Sequence, residues 1–315
     1  MTPTHSHAHW SRYWAAGALT SLSEDFAGNY DGEVARFWRD RFSELSPPAS
    51  LLDLCTGNGP IALLAAAWAQ QHAVSLAVTA VDAAQPRPDL APGLSAVERQ
   101  LVDKVRFVGD TPVERLPFDN QSFDLVTSQY GLEYCDLAPA VAQVYRVLKP
   151  GAKLVMVTHA ADSEMVKTMH DEMEGYRRLG ELKLLKLLRA WSRGQLAEPD
   201  FERRARNVLT QLQRSRTGAS RSPLVIQVAQ ALNSLLQMPA TSRRAQREPA
   251  FTYADDLLAG EARLQDMLRV NRVIAEDDRW YAPLEKAGLV LEKTQPLVYR
   301  GEHAMGQTMQ WRRPA

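Results

Sequence analysis

The sequence has little cysteine, no excess of either charge and no long apolar run. Only two of its 315 residues are cysteines, so neither a disulfide framework nor a cysteine zinc site is expected. Lysine plus arginine and aspartate plus glutamate each total 37, which gives no support for a polyanionic partner. No stretch approaches the roughly 20 apolar residues of a membrane span, and the first residues lack the apolar core of a signal peptide. These absences predict a cytoplasmic globular protein with no membrane partner.

What the chain does contain is one organising stretch at residues 51–62, Leu-Leu-Asp-Leu-Cys-Thr-Gly-Asn-Gly-Pro-Ile-Ala. Its apolar beginning predicts a buried strand. Gly57 and Gly59 permit a tight turn, and Pro60 suits the first position of a helix. A strand followed by a glycine turn and a helix N-terminus is how open α/β sheets hold nucleotide-like ligands.

Two classes of ligand fit this stretch. Gly57, Gly59 and Ala62, with Asp82 about twenty residues further on, satisfy the dinucleotide fingerprint, which would indicate a nicotinamide-dependent oxidoreductase. Asp53 favours the other class, because a carboxylate in the strand before the first glycine would repel a pyrophosphate. S-adenosylmethionine carries no phosphate, and its amino and sulfonium groups are cationic, so an acid beside the turn suits it.

The stretch Leu-Leu-Asp-Leu-x-x-Gly-x-Gly resembles motif I of the class I S-adenosylmethionine-dependent methyltransferases, and the later segments follow the order of that family. Asp82 closes a second predicted strand and Asp110 a third, while Ser122-Phe123-Asp124-Leu125-Val126 forms the fourth and residues 153–158 the fifth. The resemblance covers about residues 48–160, with a weaker continuation near the C-terminus. It implies a doubly wound α/β fold with a mostly parallel sheet of seven strands. Cys55 departs from the family, which usually has glycine there.

The resemblance also implies a set of cofactor contacts for S-adenosylmethionine. Asp82 would accept the ribose hydroxyls, Asp110 would accept the adenine amino group, and the N–H of Thr111 would face a ring nitrogen. Asp53 would lie near the methionyl amino group. The predicted cofactor-binding residues, with no metal site among them, are Tyr13, Asp53, Cys55, Gly57, Gly59, Asp82, Ala83, Asp110, Thr111, Ser128 and Gln129.

The residue predicted to take a proton from the methyl acceptor is His159, directly after the fifth strand, with an ordinary pKa near 6.5. Glu133 and Tyr134, after the fourth strand, are the alternatives, and many such transfers need only proximity and no base. The fourth strand lacks the Asn/Asp-Pro-Pro-Tyr of amino-group methylases that act on bases or glutamine. The sequence therefore favours O-, N- or C-methylation of a small molecule.

The chain is predicted to have four segments. A helical insertion is expected to cap the site, to supply an apolar acceptor pocket and to form a homodimer contact. Eleven arginines between Arg189 and Arg247 leave a nucleic-acid or protein methyltransferase as the alternative, though net neutrality disfavours nucleic acid. A non-catalytic S-adenosylmethionine-binding protein is the other alternative. The segments are an N-terminal helical lid (1–47), the cofactor-binding core (48–161), the insertion (162–270), and the last helix with strands six and seven (271–315).

Overall fold

The structure is a computed structural model, in which the chain divides into two compact units. The first is Met1–Ser163 together with Arg269–Ala315, and the second is Glu164–Leu268. The structure describes residues 7–22, 26–160, 164–214, 222–301 and 303–315.

The first unit is built on a sheet of seven strands. Their bounds are β1 Ala49–Leu54, β2 Leu76–Val81, β3 Val105–Val108, β4 Phe123–Gln129, β5 Leu148–Thr158, β6 Val290–Tyr299 and β7 His303–Arg312. They lie in the order β3-β2-β1-β4-β5-β7-β6. Strands β1 to β5 pair in parallel, and β7 runs antiparallel to both β5 and β6. The predicted doubly wound, mostly parallel sheet of seven strands is confirmed.

Helices alternate with the strands and continue through the second unit. In the described residues none of them is long and apolar enough to cross a membrane. Their bounds are α1 Ala8–Ala15, α2 Gly32–Ser43, α3 Pro60–Gln71, α4 Ala96–Leu101, α5 Leu137–Val147, α6 Glu164–Glu181, α7 Leu184–Ser192, α8 Glu198–Arg214, α9 Pro223–Gln237, α10 Ala240–Ala245, α11 Arg247–Glu276 and α12 Ala282–Lys286.

The centre of the sheet is apolar on both faces, as parallel strands covered by helices require. Leu51, Leu52 and Leu54 of β1 are fully buried. Leu52 and Leu54 belong to one core cluster with Val126 of β4 and Trp311 of β7. This packing fixes the carboxyl ends of β1, β2, β4 and β5 along one edge of the sheet, where most of the predicted site residues lie.

The second unit holds most of the arginine-rich stretch, and several of its arginines are paired with acids. Arg243 is only 3% exposed, and its Nη1 lies 3.2 Å from Glu198 Oε1 and 3.0 Å from Glu202 Oε2. Trp191 donates from Nε1 to Glu198 Oε2 at 2.9 Å and stacks on Phe201 with ring centroids 4.2 Å apart. These arginine contacts stabilise helix packing and give no specific support for a nucleic-acid surface.

Candidate active site

The turn between β1 and α3 is shaped by three residues in the left-handed region. Cys55, Gly57 and Gly59 have φ values of 52°, 56° and 81°. This conformation costs a residue with a Cβ roughly 1–2 kcal/mol, which explains why the resembled family usually has glycine where Cys55 stands. A Cβ at Gly57 or Gly59 would lie 2.5 Å from the ring of Trp14 or Phe107, respectively, so neither glycine tolerates a side chain here.

Asp53 lies beneath this turn and bonds to hydroxyl groups. It is 1% exposed, and its two oxygens accept from the Thr56 hydroxyl at 2.6 Å and the Thr127 hydroxyl at 2.7 Å. Burial raises the pKa of Asp53 to about 7. In this structure the carboxyl group ties the turn to β4, and its predicted proximity to a methionyl amino group stays a prediction. Nothing in the sequence marks Thr56 and Thr127 as hydrogen-bond partners of Asp53.

Asp82 follows β2 and holds the turn from the other side. Its Oδ2 accepts from the N–H of Gly57 at 2.7 Å and its Oδ1 from the N–H of Ala84 at 2.7 Å. Burial raises the pKa of this carboxyl group. Each carboxylate oxygen has two acceptor positions, so Asp82 keeps capacity for two more donors, as a ribose would provide. The half-buried Ala83 lies between Asp82 and Ala84.

Asp110 and Thr111 follow β3. Asp110 is exposed, with a φ of 51°, and accepts a hydrogen bond from the side-chain amide of Gln85. The N–H of Thr111 donates to the backbone oxygen of Asp82 at 2.9 Å. That N–H was expected to face an adenine nitrogen, and here it connects the loops after β2 and β3 instead.

An aromatic helix covers the glycine turn. The indole of Trp14, 7% exposed, packs on Gly57, whereas the predicted cofactor contact is its neighbour Tyr13. The Tyr13 hydroxyl donates to the Thr20 oxygen at 3.0 Å. Asn58, fully buried, donates from Nδ2 to the backbone oxygen of Trp14 at 2.9 Å, which fixes α1 to the turn. The family resemblance placed Tyr13 of this segment at the cofactor site, but it did not identify Trp14 as the ring that lies over the glycine.

The end of β4 provides two further predicted residues whose side chains have structural partners. Ser128 accepts from the N–H of Leu132 at 3.0 Å. Gln129 accepts from the indole N–H of Trp38 at 2.6 Å. A contact between these residues and a cofactor would therefore involve the backbone, and it remains a prediction.

The three candidate catalytic residues come together where β4 and β5 end. The Tyr134 hydroxyl lies 2.7 Å from Nε2 of His159, and Oε1 of Glu133 accepts from the backbone N–H of His159 at 3.2 Å. The ring of Tyr130 stacks on that of His159, with centroids 4.9 Å apart and planes 25° from parallel. Tyr130 was not predicted, and its φ of 50° is not readable from the sequence.

Burial moves the pKa values of His159 and Glu133 in opposite directions. It lowers the pKa of His159 to about 4, which corrects the expectation of an ordinary value near 6.5. It raises the pKa of Glu133 to about 7, and Oε2 of Glu133 is buried without a hydrogen-bond partner among the described residues. A general base works best with a pKa near the operating pH, so Glu133 fits that role better than His159.

A cavity of about 340 Å³ opens beside His159. Its volume is within the usual range for small-molecule pockets, which are mostly apolar with a few polar anchors. No group of three or more His, Cys, Asp or Glu that could hold a metal ion occurs in the described part of the chain. The cavity is lined by Thr158, His159, Ala160, Ile274, Trp280, Tyr281, Leu291, Thr294, Gln307 and Met309.

This sheet order, with a glycine turn after β1 and acids after β2 and β3, matches the class I S-adenosylmethionine-dependent methyltransferase fold. Within that class, residues 33–177 match the model of the ubiE/COQ5 methyltransferase family. The match ends inside α6, so most of the second unit lies outside it.

The chain is similar to several named proteins over part of its length. A demethylmenaquinone methyltransferase of Lactiplantibacillus plantarum is 34% identical over 161 residues, which cover 47% of this chain and 66% of that protein. The ubiquinone/menaquinone biosynthesis C-methyltransferase UbiE of Rickettsia felis is 30% identical over 149 residues, covering 44% of this chain and 59% of that protein. The chain thus spans less than two thirds of the length of these relatives. The solved structure of geranyl diphosphate C-methyltransferase from Streptomyces coelicolor, with S-adenosyl-L-homocysteine, has 18% identity and a TM-score of 0.37, covering 50% of this chain and 67% of that one.

Proposed function

We propose that the chain transfers a methyl group from S-adenosylmethionine to a small-molecule acceptor bound in the cavity beside His159. One observation carries the proposal. The glycine turn held by Asp82 and the cluster of Glu133, Tyr134 and His159 lie along the same edge of one sheet, at the ends of neighbouring strands. Holding a donor and an acceptor in alignment supplies much of the rate of such a displacement.

The residues after β1, β2 and β3 fit S-adenosylmethionine, which supplies an electrophilic methyl group when bound. Gly57 lets a ligand approach the backbone, Asp82 has acceptor capacity for the ribose, and the exposed carboxylate of Asp110 is available for an adenine amino group. Trp14 lies against Gly57, so we propose that its indole moves aside for the cofactor and then covers it, excluding water.

The acceptor we propose is an aromatic hydroxyl compound of the quinol type. Trp280, Tyr281 and Met309 give its cavity apolar and aromatic walls, while His159 and Gln307 add polar groups. The names of the relatives, which specify demethylmenaquinone and ubiquinone or menaquinone C-methylation, support methylation of a ring carbon. A hydroquinone becomes nucleophilic at carbon when its hydroxyl loses a proton.

We assign the removal of that proton to Glu133, which does not line the cavity but accepts from the backbone N–H of the lining residue His159. Its unpartnered, buried Oε2 and its pKa of about 7 suit a base that is ionised in roughly half the molecules at neutral pH. His159 is neutral there, and its Nε2 holds the Tyr134 hydroxyl. Its role is to orient the acceptor and Tyr134 rather than to remove the proton.

The test is methyl transfer by the purified full chain to a naphthoquinol that lacks the ring methyl group. S-adenosylmethionine with a deuterated methyl group allows mass spectrometry and NMR to distinguish a carbon product from an oxygen product. A carbon-methylated product supports the proposal, and an oxygen-methylated one overturns the quinol-carbon assignment. Binding of S-adenosylhomocysteine without transfer to any quinol would instead favour the non-catalytic binding protein.

For the helical insertion, the predicted cap and homodimer contact remain proposals. Their support is the position of residues 162–270 in the chain, directly after β5, and their density of leucine. The apolar acceptor pocket that the insertion was expected to supply is assigned here instead to the cavity beside His159, whose lining residues lie outside 162–270. Replacing the insertion with a short linker should abolish transfer while leaving cofactor binding measurable. Sedimentation of the full chain decides the dimer.

A further inference from the structure

The two cysteines of the chain lie next to each other. Cys55 follows β1 and Cys135 precedes α5, 80 positions later, yet their sulfur atoms are 3.8 Å apart. Both residues are of intermediate exposure. Nothing in the proposed methyl transfer uses either thiol.

The backbone around the two sulfur atoms is closely packed. A Cβ at Gly131 would lie 2.4 Å from Cβ of Cys55, so the segment after β4 rests directly on Cys55. Cys135 also contacts the backbone oxygen of Gly131, at 3.9 Å from its sulfur. A disulfide holds its sulfur atoms about 2.05 Å apart. The two sulfur atoms, which lie 3.8 Å apart here, would have to move closer by the difference between these two distances.

We propose that Cys55 and Cys135 form a redox-sensitive dithiol, that a hydroperoxide oxidises it to a disulfide, and that the disulfide weakens cofactor binding. One sulfur attacks the O–O bond, which releases an alcohol (water, from hydrogen peroxide) and leaves a sulfenic acid. The second thiol displaces water from that sulfur and forms the S–S bond. In total, two thiols and one hydroperoxide give a disulfide, an alcohol and a water. Disulfide formation is independent of the proposed function, whereas the effect on the cofactor rests on it.

The distance between the two sulfur atoms allows either thiol to make the first attack. Whichever sulfur is oxidised, the other lies 3.8 Å away and resolves the sulfenic acid.

The link to the cofactor is the glycine turn. Cys55 is the first residue of the turn, and the N–H of Gly57, two positions later, is held by Asp82. Drawing Cys55 toward Cys135 strains a residue that already has a φ of 52°, and the strain is relieved by displacing the turn. Since a misplacement of about 1 Å costs a catalytic site up to about a hundredfold in rate, we expect displacement of the turn to weaken binding of S-adenosylhomocysteine at least about tenfold.

The experiment oxidises the full chain with an equimolar amount of hydrogen peroxide. Intact-mass measurement should show the loss of two hydrogens and of both alkylatable thiols, and digestion should yield a cross-linked peptide pair. Calorimetry should show at least tenfold weaker binding of S-adenosylhomocysteine, restored by dithiothreitol. The matched control is Cys135→Ser, which cannot form the bond. Its affinity should be unchanged by the same peroxide, which excludes methionine oxidation as the cause.

Two results would overturn the proposal: failure of the disulfide to form within one chain, or a disulfide that leaves the affinity within twofold of the reduced chain. A reduced chain that does not bind S-adenosylhomocysteine would overturn the proposed function and the cofactor effect together. The mass of the oxidised chain would still decide whether the dithiol exists, so the two failures are distinguishable.

Discussion

The hydroxyl oxygen of Tyr134 lies 2.7 Å from Nε2 of His159, a contact that connects the ends of β4 and β5. Glu133, next to Tyr134, accepts from the backbone of the same histidine. Burial places the pKa of His159 at about 4 and that of Glu133 at about 7. Titratable neighbours whose pKa values are driven apart identify the acid and base assignments of a site, and here the carboxyl group is the one that changes charge near neutrality.

The first prediction concerns Glu133. In the parent chain, kcat should rise with pH through a value near 7, because the carboxylate form is the base and exists above its pKa. Glu133→Gln removes the titrating group and should lower kcat by about 10²- to 10⁴-fold, with that rise abolished. The test is to measure rates at saturating substrate from about pH 5.5 to about pH 9, a range that extends to both sides of the pKa. A variant that retains the parent profile would exclude Glu133 as the base.

The second prediction uses His159→Asn as the counterpart. Since burial keeps the imidazole neutral above a pKa of about 4, the variant should keep the rise of kcat near pH 7. It should lose rate through poorer positioning of the acceptor, which raises KM as well. If the rise near neutrality disappears in His159→Asn and persists in Glu133→Gln, the two assignments must be exchanged.

Much of the fold follows from local patterns. The apolar run at Leu51–Leu54, the glycines and the acids after later strands predict the sheet, because a buried parallel strand needs continuous apolar residues. The strand ends were less accurate. β5 begins at Leu148 rather than Lys153, since pairing of Leu148 with Phe123 of β4 extends a segment whose own pattern is weak.

The parts of the site that the sequence could not reveal depend on distant contacts. Thr127 reaches Asp53 across 74 positions, and Cys135 reaches Cys55 across 80. The pKa of His159 depends on its burial, which no residue near it in the sequence specifies. Residue type and spacing identified the candidate groups, and tertiary packing determined their charge states.

The third prediction concerns the cofactor. Asp82→Asn keeps the size of the side chain but removes the charge and one acceptor oxygen. It should weaken S-adenosylhomocysteine binding by about 2–3 kcal/mol, the usual cost of losing hydrogen bonds to a charged group. Asp110→Asn, at an exposed position, is the matched comparison and should cost less. Calorimetry measures the affinity of both variants. Thermal unfolding without ligand shows whether a variant has lost only binding or has also loosened the turn at Gly57. Equal affinities for Asp82→Asn and the parent would remove Asp82 from the site.

The last prediction links Asp53 to stability. Its pKa is about 7 in the folded chain against an ordinary value of 3.8, so the folded state holds the proton more tightly. Stability from this group is present below pH 3.8 and is lost as pH rises through about 7. The change is about 1.4 kcal/mol for each pH unit between the two pKa values. Asp53→Asn does not titrate, and it should gain stability relative to the parent on the order of a few kcal/mol between pH 5 and pH 8.

Thr127→Val provides the opposite control for that prediction. The Thr127 hydroxyl lowers the pKa of Asp53 by donating to the charged form. Its removal should raise that pKa further, so the decline in stability keeps the same slope per pH unit but extends to higher pH. Urea unfolding midpoints of the parent, Asp53→Asn and Thr127→Val at pH 5 and pH 8 decide the matter, because stability changes shared by all three chains cancel in the comparison. Identical pH dependence in the three chains would show that Asp53 is ionised in the folded protein at neutral pH. Its role would then be the charged contact with the methionyl amino group that the sequence suggested.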